Sequence, residues 1–113
     1  MTMTSPPTVF IFGLGFTGSR LAQMLINRGW RVRGTRRDPQ HPMPVGQELP
    51  KSVEVFRFAA GEPIDDPDRA FDGITHVVST IAVIGGSDPV LAAHGKALAA
   101  TGAWAGYVSA TSV

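Results

Sequence analysis

The chain is 113 residues long with a formal net charge of +1, 43% hydrophobic residues and no cysteine. That is enough chain for one packed domain, and the lack of cysteine excludes a disulfide framework and thiolate-based zinc or redox sites. The near-neutral balance gives no bulk attraction to nucleic acid or to an anionic membrane, and no apolar run approaches the roughly 20 residues that span a bilayer. Met1 to Pro7 has neither the basic n-region nor the apolar core of a signal peptide. The expectation is a soluble cytoplasmic protein, with residues 1–7 a flexible leader and residues 8–113 one domain.

In chain order, Thr8-Val9-Phe10-Ile11-Phe12 is a short apolar, β-branched run that fits a buried strand. Ser19 to Arg28 carries Leu21, Met24 and Leu25 at helical spacing, and Gly29 supplies the stop. Trp30 to Thr35 reads as a second strand. Residues 38–50 contain Pro39, Pro42, Pro44 and Pro50, which argues against more than a turn of helix there. Val53 to Phe58 alternates, predicting a third strand with one polar face. Pro63 to Asp72 is acidic and fits a short helix or turn. Ile74 to Ile81 is the fourth strand. Asp88 and Pro89 are the N-cap and first position of a helix running to about Ala100. Trp104 to Ser109 is the fifth strand. Strands alternating with crossovers predict an α/β fold with a doubly wound parallel sheet of about five strands.

The segment between the first strand and the first helix is Gly13-Leu14-Gly15-Phe16-Thr17-Gly18, a G-x-G-x-x-G pattern in strand–turn–helix context. In a dinucleotide-binding turn the three glycines do different things. Gly13 permits the tight turn, Gly15 the close approach of a pyrophosphate, and Gly18 the packing of helix on strand. Amides around Phe16 and Thr17 face the phosphates, aided by the helix dipole, and the Thr17 hydroxyl offers a further donor. The end of the second strand, Gly34-Thr35-Arg36-Arg37, lies about 20 residues past the fingerprint, where the adenine ribose is read. Arg36 and Arg37 favour the 2′-phosphate of NADP, with NAD left open. Asp38, followed by Pro39, suits a turn better than a ribose contact.

On these residues, together with Thr75-His76-Val77-Val78-Ser79-Thr80 and Gly106-Tyr107-Val108-Ser109-Ala110-Thr111-Ser112-Val113, the chain resembles the short-chain dehydrogenase/reductase superfamily. Within it, the chain is similar to the extended or atypical branch of NAD-dependent epimerase/dehydratase type. The resemblance covers nearly all of residues 8–113 and implies a Rossmann-type fold in which Ser79, Thr80 and Ile81 flank the cofactor. It also implies a substrate-binding hydroxyl at the end of the fifth strand. The usual position falls on Ala110, with Ser109 and Thr111 beside it. The family's Tyr-x-x-x-Lys acid/base pair is absent, the single tyrosine being Tyr107, and relatives' adenine-contacting aspartate is replaced by Phe58-Ala59-Ala60-Gly61. The chain therefore reads as the cofactor half of such an enzyme, truncated after strand five and inactive alone. The partners expected are a dinucleotide and, in a full-length protein, a small-molecule substrate such as a sugar-nucleotide; a homo-oligomer stays open. The alternative is a stand-alone, non-catalytic dinucleotide-binding or sensing module.

Other constellations point elsewhere or nowhere. His41, His76 and His94 have no metal spacing; His76 reads as structural and His94 as solvent-facing. Asp65, Asp66 and Asp68 lack the glycines of a calcium loop and read as a solvated face. Trp30 and Trp104 read as packing anchors. No Gly-Lys-Ser/Thr follows the glycine turn, so a phosphate-loop NTPase is excluded.

Overall fold

Every residue from Thr8 to Phe12 is buried, as expected of a strand covered on both faces. It forms β1 (Thr8–Phe12), the centre of a five-stranded parallel sheet in a computed structural model that describes residues 6–40, 48–59, 62–81 and 88–107. The other strands are β2 (Arg31–Arg36), β3 (Glu54–Arg57), β4 (His76–Ser79) and β5 (Trp104–Tyr107), and the order is β3-β2-β1-β4-β5. Three helices are present among the described residues: α1 (Phe16–Asn27), α2 (Pro67–Phe71) and α3 (Pro89–Thr101). The chain winds from β1 outward to β3, then crosses back to β4 on the other side of β1. This is the doubly wound Rossmann-type α/β architecture, with its switch point between β1 and β4.

Alternation along β1 splits the core in two. Val9 and Ile11 pack with Ala22, Leu21, Leu25 and Ile26 of α1. Phe10 and Phe12 face the other way, onto Ala70 and Phe71 of α2 and Val90, Ala93 and Leu98 of α3. That second layer is aromatic: Phe10 and Phe71 meet edge to face at 5.1 Å, as do Phe12 and Phe58 at 5.4 Å. Burying each phenyl ring contributes about 2–3 kcal/mol.

Helix ends follow the sequence closely. Asp88 Oδ1 accepts from Val90 N–H at 2.9 Å, with Pro89 in the first turn of α3. Asp66 caps α2 by accepting from Arg69 N–H at 3.2 Å while staying exposed, as Asp65 and Asp68 are, in the solvated acidic face expected of them. α1 starts at Phe16, three residues before Ser19, because the glycine turn itself becomes the helix N-terminus. The described parts of the β2–β3 connection, 37–40 and 48–53, contain no helix. Sheet hydrogen bonding begins at Pro7, whose carbonyl accepts from Arg31 N–H at 2.9 Å.

Three expectations are corrected. β3 has no polar face: Val55 packs with the α1 layer and Phe56 with the aromatic layer, because the strand is covered on both sides. His94 is buried, not solvent-facing; its Nε2 accepts from Ile64 N–H at 3.0 Å among the rings of Phe12, Phe58 and Phe71. Trp104 is 61% exposed and anchors no core. Its indole lies over Gly106, where a Cβ would come within 2.5 Å of it. Trp30, by contrast, packs against the α1 layer and its ring lies 4.7 Å from that of His76.

Candidate functional site

The glycine turn leaves the C-terminal end of β1 at the switch point, and neighbouring strands fix its backbone. Gly13 N–H donates to Thr35 Oγ1 of β2 at 3.0 Å. Thr80, just past β4, donates its hydroxyl to Gly13 O at 2.7 Å and approaches Phe12 O at 3.1 Å. Leu14 N–H donates to Thr35 O at 2.8 Å, and Ser19 Oγ donates back to Leu14 O at 3.1 Å. Gly13 has φ +98°, a conformation that side chains with a Cβ rarely adopt. A Cβ at Gly18 would collide with the Gly13 carbonyl oxygen, so the third glycine is what lets α1 begin so close to β1.

Beyond Leu14 the polar groups are left open. The N–H groups of Gly15, Phe16, Thr17 and Gly18 have no acceptor among the described residues, and the first turn of α1 contains no acidic side chain. Nothing lies within 4 Å of the position a Gly15 Cβ would take. Four donors at the positive end of a 12-residue helix, beside open space, constitute an anion-receptive surface.

The remaining predicted residues divide by position. Thr35 is 1% exposed, with its hydroxyl committed to Gly13. Ser79 is buried and its Oγ accepts from Ile81 N–H at 3.3 Å. Thr35 and Thr80 thus build the glycine turn from within, while Ser79 shapes the end of β4 beside it. Arg36 closes β2, in register with Arg57 at the end of β3, and Arg37 is exposed just beyond. Asp38 forms a turn, its Oδ1 accepting from Gln40 N–H at 3.1 Å. Ser109 and Thr111, and also His41, lie outside the described residues, as does Ala60-Gly61 beyond β3. No cluster of metal-ligating side chains occurs among the described residues, and no helix among them is long and apolar enough to cross a membrane.

Sequence reasoning missed the hydroxyl bond of Ser19 and the packing role of Gly34. A Cβ on Gly34 would come within 2.6 Å of Leu14 Cδ1 and 2.7 Å of Ile11 O, so this glycine admits the turn against β2. Its place immediately before Thr35 is the one signal for it in the sequence.

Solved structures share this architecture. A functionally unknown conserved protein from Silicibacter pomeroyi is 34% identical over 93% of this chain, with a TM-score of 0.66. The Bordetella bronchiseptica enzyme WbmH, solved with NAD+, is 21% identical over 80% of the chain, with a TM-score of 0.52. An NADPH-dependent glyoxylate/hydroxypyruvate reductase from Sinorhizobium meliloti, solved with NADP and sulfate, is 20% identical over 76% of it, with a TM-score of 0.50. At about 20% identity the likeness to the last two is one of fold. The chain spans 36%, 30% and 24% of these three proteins respectively. No protein-family model matches the sequence, and no curated protein matches it.

Proposed function

We propose that this chain is the dinucleotide-binding part of an NAD(P)-dependent oxidoreductase or epimerase of the short-chain dehydrogenase/reductase type, with NADP favoured over NAD. The observation that carries the reading is the set of four open N–H groups from Gly15 to Gly18, at the sheet's switch point under an unobstructed surface. A pyrophosphate there accepts from those amides, and the Thr17 hydroxyl lies in the same turn. The adenosine half then extends toward the ends of β2 and β3, where Arg36 and Arg37 supply positive charge for a 2′-phosphate.

In that site the nicotinamide would supply the hydride chemistry. The chain's own residues bind and orient: Thr35, Thr80 and Ser19 hold the loop, and Ser79 and Ile81 border it. Ser109 and Thr111 are the candidates for a substrate-contacting hydroxyl, acting on a carbonyl or hydroxyl compound such as a sugar-nucleotide. A binding module without chemistry of its own is the second reading, favoured by the lack of a Tyr-x-x-x-Lys pair in these 113 residues.

Calorimetric titration of the protein with NADPH and with NADH tests the proposal. Saturable one-to-one binding of either supports it. Silence with both, from folded protein, overturns it.

A further inference from the structure

We propose that Arg57 belongs to the element that distinguishes NADP from NAD, and that Glu62 is its built-in competitor. The inference rests on the dinucleotide reading above. Arg57 and Arg36 are register partners on adjacent parallel strands. Their side chains therefore leave the same face of the sheet, from backbones about 4.8 Å apart. Both lie at the C-terminal edge, and Arg37 follows directly. Like charges placed opposite each other across neighbouring strands cost stability. An arginine pair here makes physical sense if an anion sits between or beside them.

For Arg57 the chain itself supplies such an anion: Glu62 Oε2 lies 2.9 Å from Arg57 Nη1. Its position is fixed locally: Glu62 N–H donates to Ala59 O at 2.9 Å, and the two residues form an isolated bridge. The ion pair is weak in context. Its two side chains are 57% and 58% exposed, and pairs so exposed contribute about 0–1 kcal/mol. A ribose 2′-phosphate brings close to two negative charges and three acceptor oxygens, which match the guanidinium fork. It can displace Glu62 from Arg57. A 2′-hydroxyl carries no charge and cannot. Arg57 and Glu62 together therefore act as a charge-operated selector rather than as a general adenine contact.

The test is a titration of wild type, Arg57→Ala and Glu62→Gln with NADPH and NADH, read as the ratio of the two dissociation constants. These ligands differ only in the 2′-phosphate. Both residues are exposed, so melting temperatures should stay close to wild type. Arg57→Ala should weaken NADPH about tenfold and leave NADH unchanged, as the loss of one charge-assisted contact requires. Glu62→Gln should tighten NADPH by about threefold or more, and this gain should shrink as salt is raised. If both variants keep the wild-type ratio while wild type binds either cofactor, the selector is overturned and the dinucleotide reading stands. If wild type binds neither, both fall.

Discussion

Thr35 and Thr80 hold the two polar groups of a single residue between them: the first accepts the Gly13 N–H and the second donates to the Gly13 carbonyl. They come from either side of β1, so the turn is tied to both neighbouring strands. Thr35→Val keeps the shape and leaves the Gly13 N–H without an acceptor, which should cost about 1–3 kcal/mol. Thr80→Val leaves the Gly13 carbonyl without its hydroxyl donor and should cost less, about 1 kcal/mol, because an under-satisfied carbonyl is tolerated better than an orphaned N–H. Urea unfolding measures both. Since the substitutions share one peptide, the double variant should depart from additivity; strict additivity would mean that the two hydroxyls act independently.

Gly15 invites a substitution that separates folding from binding. It is the N-cap of α1, with φ −85° and no side-chain cap. Aspartate fits the open space there and is a preferred N-cap. Gly15→Asp should stabilise the protein by about 0.5 kcal/mol through capping and the helix dipole. The same carboxylate fills the anion-receptive surface, so NADPH and NADH binding should disappear. A variant that is more stable and still binds would place the phosphates elsewhere.

His94 should make stability depend on pH. Accepting from Ile64 N–H requires an unprotonated Nε2, and burial pushes the imidazole below its ordinary value of 6.5. The folded state thus binds the proton less readily than the unfolded chain. This residue's support is complete above about 6.5 and is lost as pH falls from there through the lowered folded value. His94→Gln should flatten that part of the stability–pH curve measured by denaturant unfolding. An unchanged curve would assign the dependence to another group.

Arg33 offers the converse of Gly15. Its Nη1 donates to Asp72 O at 2.6 Å and Ala70 O at 3.1 Å, closing the C-terminal end of α2, and its Nε lies 3.8 Å from Glu54. Arg33→Met should cost about 1–2 kcal/mol through uncapped carbonyls and leave cofactor affinity unchanged. Loss of affinity would show that α2 communicates with the glycine turn.

Local chemistry was readable without coordinates. The caps Asp88 and Pro89, the stop at Gly29 and the three glycines of the turn carry their meaning in a few adjacent residues. What escaped depended on partners far along the chain. Thr35 and Thr80 meet Gly13 across 22 and 67 positions, and Ser19 looks like any small helical residue. His94 was recoverable. It follows Val90 and precedes Leu98 at four-residue steps, on the stripe that α3 buries. The Arg36–Arg57 pairing needed the register of two strands joined by a long, proline-rich connection, which alternation alone does not fix.

The His76 ring lies tilted against both Trp30 and Trp104, with centroids 4.7 and 6.0 Å away. These are the chain's two indoles. They sit where β2, β4 and β5 begin, whereas the glycine turn leaves where β1 ends, about 15 Å away along a five-residue strand. Intrinsic emission from this protein therefore reports on the assembly of the sheet from indoles that do not touch its opposite rim. Melting can be followed by that light in the cofactor-free protein, whereas a reduced nicotinamide on the far rim absorbs where indoles emit and would dim it without altering the sheet.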